Sequence, residues 1–494
     1  MRFQSTRDLN KTKYNSAQVI KQGLADDGGL FVPEEIPLIS AEEITSFCHM
    51  SYPELAATVL GKFLSDYTYD ELLQDCKNAY NNESFLNGAC PLVNVEDNTY
   101  ALELWHGPTC AFKDMALQIM PKLLSRALVK TGESRTALVL VATSGDTGKA
   151  ALEGYKDVGQ IKICVYYPKK GVSTIQELQM TTQTGSNVNV CAVEGNFDDI
   201  QTGVKHIFND ENIAETLNKQ GYFLSSANSI NFGRLAPQIV YYIKSYCDLI
   251  NRDEIELGEK INICVPTGNF GNILAAYIAK LMGLPINKLI CASNSNNILT
   301  DFLKTGVYDR NRGFHLTMSP SMDILISSNL ERLLYLISDA KQTGEYMNLL
   351  NSTGRYQVSD EIKRKIDENF VGYYADENQT ADTIAKYYNF EDYLMDTHTA
   401  VAFYALESYR KETLDNTKTV VASTASPYKF AQSVYNSIYG ENPYDDLEVL
   451  EELSITTGTK IPKPLCQLDK KKVNFSKNIS VDDMYNEVLD FIKE

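Results

Sequence analysis

Short apolar runs separated by stretches of helical spacing recur through most of the chain. TALVLVA (136–142), IKICVYYP (161–168), VNVCAVEG (188–195), INICVP (261–266), KLICAS (288–293) and TVVAST (419–424) are rich in valine, isoleucine and leucine and largely lack a polar face. Strands of that kind are buried on both sides, the condition of a parallel sheet covered by helices. The segments between supply the helices: KAALEGYKD (149–157), DDIQTGVKHIF (198–208) and ILAAYIAKLMG (273–283) place apolar residues three and four apart. Such alternation predicts an α/β protein with doubly wound sheets.

The first ~90 residues follow another pattern. SAQVIKQGLA (16–25) and YPELAATVLGKFL (52–64) read as helices, and a Gly-Gly turn sits in ADDGGLFVP (25–33). This predicts a small α-rich N-terminal unit over 1–90, then α/β domains over 91–250 and 251–494. In the last segment, SVDDMYNEVLDFIKE, residues Met484, Val488 and Phe491 share one helical face, with Ser480 placed as an N-cap.

A chain of 494 residues exceeds what one core supports, which agrees with several domains. Its formal charge of -18 argues against a broad nucleic-acid or anionic-membrane surface, while leaving room for a local anion site. No apolar run reaches the ~20 residues of a membrane span, and the start MRFQSTRDLNK lacks the apolar core of a signal peptide. The ten cysteines form no C-x-x-C pair, and several lie inside apolar runs. Reduced, buried thiols in a cytoplasmic protein are the expectation. The five histidines show no metal-ligand spacing.

Open α/β sheets bind ligands beyond the carboxyl ends of their strands, so candidate chemistry is sought in the turns there. GNFGN (Gly268 to Asn272) follows a strand and opens a helix, which suits a phosphate cradle; a plain helix-entry turn would account for the same glycines. ATSGDTGKA (142–150) fails the nucleotide P-loop pattern, which needs glycine at Thr143 and a hydroxyl at Ala150. What remains is a hydroxyl-rich turn with Thr143, Ser144 and Thr147, able to meet a carboxylate or simply to cap a helix. SSANSINFGRL (225–235) gathers Asn228, Ser229 and Arg234 in one loop, and arginine captures phosphate or carboxylate bidentately, although a turn with a solvated arginine accounts for the same residues more simply.

Lys113 stands between Phe112 and the apolar stretch around Met115 and Ala116. Desolvation lowers a lysine's basicity, and an amine free of its proton can form a Schiff base with a carbonyl, the covalent tactic of pyridoxal phosphate enzymes. Such an enzyme also needs a phosphate cradle, a carboxylate site and a partner for the pyridine nitrogen, and the chain offers a candidate for each.

Taken together, LWHGPTCAFKDMALQ, ATSGDTGKAA, NSINFGRL, PTGNFGN and SPSMDI resemble threonine synthases, pyridoxal phosphate enzymes of the tryptophan-synthase-β (fold type II) group. QSTRDLN…QGLADDGGLFVPEEIP is similar to that family's own N-terminal domain, and DTHTAVAFYAL and VVASTASPYKF resemble its C-terminal signatures. The resemblance spans about residue 4 to about residue 430.

It implies that Lys113 carries the cofactor as a Schiff base and then shuttles protons. Gly268, Asn269, Phe270, Gly271 and Asn272 would hold the cofactor phosphate, and Thr424 would face the pyridine nitrogen. Thr143, Ser144, Asp146 and Thr147 would surround the substrate carboxylate and the cofactor's hydroxyl edge. Asn228, Ser229 and Arg234 would bind the phosphate of O-phospho-L-homoserine, which the family converts with water to L-threonine and phosphate. A common form of the C-terminal motif has histidine where Ser426 stands, so a histidine role there is absent.

A phospho-amino-acid lyase or dehydratase giving 2-oxobutyrate would use the same groups. A non-catalytic binding relative would not need an intact Lys113. A soluble monomer or homodimer, with no nucleic acid, membrane or metal, completes the expectation.

Overall fold

The six apolar runs form strands, and they divide between two sheets. The structure is a computed structural model that describes residues 1–493. In the larger sheet the order is Phe370–Tyr374, Ile286–Ser293, Ile261–Pro266, Thr419–Ser423, Thr99–Glu103 and Leu92–Glu96. Neighbours in it are parallel, except that Leu92–Glu96 closes the edge antiparallel to Thr99–Glu103. The second sheet is wholly parallel: Asn478–Ser480, Val188–Glu194, Ile161–Pro168, Thr136–Ala142 and Tyr222–Ser225. The central strands of both are buried along their length, as near-continuous apolar sequence requires. Helices cover the faces, and the α/β class read from the sequence holds.

Sheet membership departs from the division at residues 90 and 250. Leu92–Glu96 and Thr99–Glu103 pair into the sheet built from the second half of the chain, and Asn478–Ser480 returns to add an edge to the sheet of the first half. Each domain is therefore assembled from separated stretches, a long-range pairing that local periodicity does not carry. The same edge strand explains why Ser480 is not an N-cap. It ends that strand, its hydroxyl donates to Asp483 Oδ2 at 2.7 Å, and the last helix is Met484–Lys493. Met484, Val488 and Phe491 are buried on that helix, as its spacing predicts.

The N-terminal unit holds the antiparallel pair Phe3–Ser5 and Phe31–Pro33 and the helices Ser16–Gln22, Ala41–Phe47, Tyr52–Phe63 and Tyr69–Ala79. It leans on the buried 20-residue helix Phe232–Asn251, with Phe3 and Phe63 packing edge-on and tilted against Phe232 at ring-centroid distances of 4.8 and 5.7 Å. Arg332, fully buried, donates from Nε to the Phe31 carbonyl at 2.9 Å and from Nη1 to the Ser229 carbonyl at 3.2 Å. That guanidinium joins the N-terminal unit to the loop in which Asn228 and Ser229 lie.

The short helix Asp114–Leu117 is wedged beneath the helix Asp146–Tyr155. Gly154 allows this approach: a Cβ there would stand 1.9 Å from the Leu117 carbonyl oxygen. Gly159, by contrast, has nothing within 4 Å of an added Cβ. Gly154→Ala is expected to destabilise the protein by about 1–3 kcal/mol or more through overpacking. It should lower Tm by several degrees, while Gly159→Ala should leave Tm close to wild type.

Candidate active site

A cleft of about 2200 Å³ opens where the carboxyl ends of the two sheets face each other. Lys113 reaches it from a loop that is folded by its own side chains. Asp114 accepts from the Thr109 backbone N–H at 2.8 Å and from the Thr109 hydroxyl at 2.7 Å. Gly107 makes room for that turn, since a Cβ there would meet Asp114 at 2.5 Å. The loop then pairs with the segment after the strand Thr419–Ser423: Phe112 N–H donates to the Thr424 carbonyl at 2.8 Å, and Ser426 N–H donates to the Cys110 carbonyl at 3.1 Å. Lys113 and Thr424 are thereby held side by side, although 311 positions separate them in sequence.

The Lys113 side chain is only 10% exposed. Its Nζ lies 3.4 Å from Asp146 Oδ2 and 3.4 Å from the Ser321 hydroxyl. Burial pulls its basicity below that of an ordinary lysine; Asp146 opposes this, and Lys429 and Arg234 add to it. Asp146 begins its helix, where a carboxylate is favoured. It receives the Lys429 ammonium at 2.7 Å and the Gln176 amide N–H at 3.0 Å, both on Oδ1. Burial resists ionisation of Asp146, but the two lysines overcome it and hold the carboxyl well below the usual carboxylate range. Burial pushes Asp114 the other way, up to about 6.

Across the cleft, Gly268 to Asn272 links the strand Ile261–Pro266 to the helix Gly271–Leu281. Phe270 takes a left-handed conformation at φ 62°, which turns the chain into the helix. A Cβ on Gly268 would come within 2.7 Å of the Ser321 carbonyl oxygen. Asn272 accepts at Oδ1 from Tyr241, at 2.7 Å, and from Tyr242, while its amide nitrogen is buried with no partner among the described residues. A glycine-lined turn, a helix N-terminus and an unpartnered buried amide donor together fit a phosphate.

The other expected residues separate into those that line the cleft and those that build its walls. Ser144, Thr147, Asn228, Ser229 and Thr424 line it. The Ser229 hydroxyl accepts from Asn329 at 3.0 Å. Thr143 also borders it, but its oxygen accepts the N–H groups of Gly145 and Gly148 at 3.0 and 2.9 Å, so it shapes the turn. Asp146 also borders the cleft, with one oxygen turned to Lys429 and the other to Lys113. Arg234 is 6% exposed and donates to the Ala227 carbonyl at 2.9 Å; among the described residues no carboxylate pairs with it. Burial lowers it to about 10. An arginine buried without a counter-ion fits a site for an incoming anion.

Three further residues to which the sequence assigns no role stand here. Ser321 touches Lys113 and Asp146. His398 accepts the Ser321 N–H at Nε2, at 3.1 Å, with its Nδ1 2.9 Å from Asp396, and thus fixes the segment beside the lysine. Lys429 closes the group. Ser321 lies in SPSMDI and His398 in DTHTAV, stretches that carry the family resemblance but whose spacing assigns neither residue a role.

A buried amine of lowered basicity beside an anion cradle at the ends of parallel strands suits pyridoxal phosphate, and the family described as pyridoxal-phosphate dependent enzyme matches residues 87–424. Two further families flank it: threonine synthase N terminus over 2–80 and threonine synthase, C-terminal, over 399–477. Human threonine synthase-like 1 is 40% identical over 438 residues, covering 86% of this chain but 58% of that protein. The chain thus spans a little over half the length of that relative. Threonine synthase of Pseudomonas aeruginosa is 37% identical over 452 residues, 90% of this chain and 92% of that one. The crystal structure of PLP-bound threonine synthase from Brucella melitensis superposes with a TM-score of 0.87 at 36% identity, covering 100% of this chain and 99% of that one. The chain belongs to the threonine synthase family of pyridoxal phosphate enzymes.

Gly268→Ala is expected to close the cradle against the Ser321 carbonyl. Pyridoxal phosphate affinity, read by absorbance titration, should fall at least about tenfold, the range for losing one good charge-assisted hydrogen bond, while far-UV circular dichroism stays unchanged.

Proposed function

We propose that this chain is a threonine synthase, converting O-phospho-L-homoserine and water to L-threonine and phosphate in the last step of threonine biosynthesis. The observation that carries this reading is Arg234, buried at the cleft without a carboxylate partner among the described residues, in addition to the glycine cradle at Gly268 to Asn272. Two anion positions in one cleft suit a phosphorylated cofactor together with a phosphorylated substrate.

When bound, pyridoxal phosphate withdraws electrons from the carbon bearing the substrate amine and so acidifies the protons at Cα and Cβ. The remaining work falls to side chains. The backbone N–H groups at the start of the helix Gly271–Leu281 and the Asn272 amide would hold the cofactor phosphate, and the Thr424 hydroxyl would serve as partner for the pyridine nitrogen. Lys113, flexible and inclined to be neutral, takes the Cα and Cβ protons and returns them, because one mobile base can reach both carbons. Ser144 and Thr147 with their backbone N–H groups receive the substrate carboxylate. Arg234, with Asn228 and Ser229, holds the substrate phosphate as the Cγ–O bond breaks, and keeps the released anion beside Cβ, where water adds. The sheltered cleft limits loss of the reacting carbons to bulk water. Ten free cysteines, mostly buried, are in keeping with a reducing compartment such as the cytoplasm.

Product analysis tests the reading. The pyridoxal-phosphate-loaded protein mixed with O-phospho-L-homoserine should release phosphate and threonine in equal amounts, and Lys113→Ala should release neither. Phosphate with 2-oxobutyrate would instead make the chain a lyase built on the same groups. Arg234→Ala should cost roughly a hundredfold or more in kcat/KM, the scale for removing one charge-stabilising donor, with cofactor affinity retained. Loss of the cofactor in that variant would contradict the assignment of Arg234 to substrate.

A further inference from the structure

Lys429 lies in the single turn Pro427–Phe430, beyond the strand Thr419–Ser423, and its side chain is fully buried. Its ammonium stands 2.7 Å from Asp146 Oδ1 and donates to the Thr109 carbonyl at 3.1 Å. Three charged groups thus lie in a row: Lys429, Asp146 and Lys113. They come from the C-terminal turn, the start of the helix Asp146–Tyr155 and the loop preceding the helix Asp114–Leu117. The spacing is unequal, 2.7 Å on the Lys429 side and 3.4 Å on the Lys113 side. The carboxylate belongs to Lys429 first.

A buried carboxylate with a single lysine for company would hold that lysine as an ammonium, because the pair compensates two charges taken out of water. Such an amine could neither attack a carbonyl nor accept a proton from carbon. A second cation on the far oxygen removes the constraint. We propose that Lys429 is a positioning residue that neutralises and orients Asp146, so that Lys113 faces a settled ion pair instead of a bare buried carboxylate. The other charged groups around the row are Arg234, which adds positive charge, and Asp114, which is held by Thr109 and lies near Lys429. The Cys110 thiol is pushed up to about 12 by burial and stays protonated. The His398 Nε2 is occupied by the Ser321 N–H.

The inference rests on Lys113 being the reacting amine, but its test reads that amine directly, whatever substrate the enzyme turns over. Trace acetic anhydride acylation of the full-length chain freed of cofactor, followed by mass spectrometry of the Lys113 peptide, gives the amine's reactivity as a function of pH. Lys429→Met should leave Asp146 to Lys113 alone and slow acylation at neutral pH by roughly tenfold for each unit by which the amine's pKa rises. Asp146→Asn should speed it by a similar factor, since Lys113 then faces Lys429 without the intervening charge. The double variant Asp146→Asn/Lys429→Met buries neither charge unpaired and should lie between the two, near wild type. Lys429→Arg should keep the wild-type rate. If Lys429→Met does not fold, the single Asp146→Asn and the double variant still decide the matter by their difference. Equal Lys113 reactivity in Asp146→Asn and the double variant, or an unchanged rate in a folded Lys429→Met, would overturn the proposal.

Discussion

An amine that must shed its proton has to be kept out of water, and the architecture around Lys113 follows from that constraint. Desolvation alone would suffice to lower its basicity, yet a dry pocket holding a lone lysine would give it no fixed position. Asp146 supplies an anchor 3.4 Å away, and Lys429 keeps that anchor from becoming a trap. Each of the three side chains is delivered by a different element, and those that carry Lys113 and Asp146 depend on close approaches: Gly107 against Asp114, Gly154 against Leu117, and Gly145 against Gln176, where an added Cβ would collide at 2.4 Å. The packing of the helices under the cleft is therefore part of the chemistry.

Two sheets are needed because the groups required are too many for the end of one. The larger sheet contributes the cofactor cradle after Pro266 and the Thr424 segment after Ser423. The smaller contributes the hydroxyl turn after Ala142 and, after Ser225, the loop that leads to Arg234. Lys429 and Arg234 place buried positive charge at the cleft of a chain whose formal charge is -18. The N-terminal unit takes part from behind: Arg332 links its Phe31 to the Ser229 carbonyl and so steadies one rim of the cleft.

Six strands of the two sheets were legible because burial on two faces leaves an apolar run, and three of the turns at their ends were legible because glycine, asparagine and hydroxyl residues cluster there. The way the chain crosses between sheets was not, since pairing of Asn478–Ser480 with Val188–Glu194 leaves no local trace. Asp146 enters through the family resemblance, near the substrate carboxylate and the cofactor's hydroxyl edge, and its ion pair with Lys429, 283 positions away, leaves no local trace in the turn. The signal for Lys429 was nonetheless present. SPYKF sets a lysine between Tyr428 and Phe430, the same apolar setting that singled out Lys113 in AFKDM. Ser321 and the distinctively placed His398 gain their part only from a hydrogen bond between distant segments, the Ser321 N–H to the His398 ring, which local spacing does not carry.

Lys113, 10% exposed at the cleft, and not the fully buried Lys429 behind it, is the amine proposed to meet the cofactor. Borohydride reduction of the pyridoxal-phosphate-loaded protein, followed by peptide mapping, tests this directly. The account predicts a single phosphopyridoxyl label on the peptide containing Lys113. A label on Lys429, or one spread over surface lysines, would contradict it.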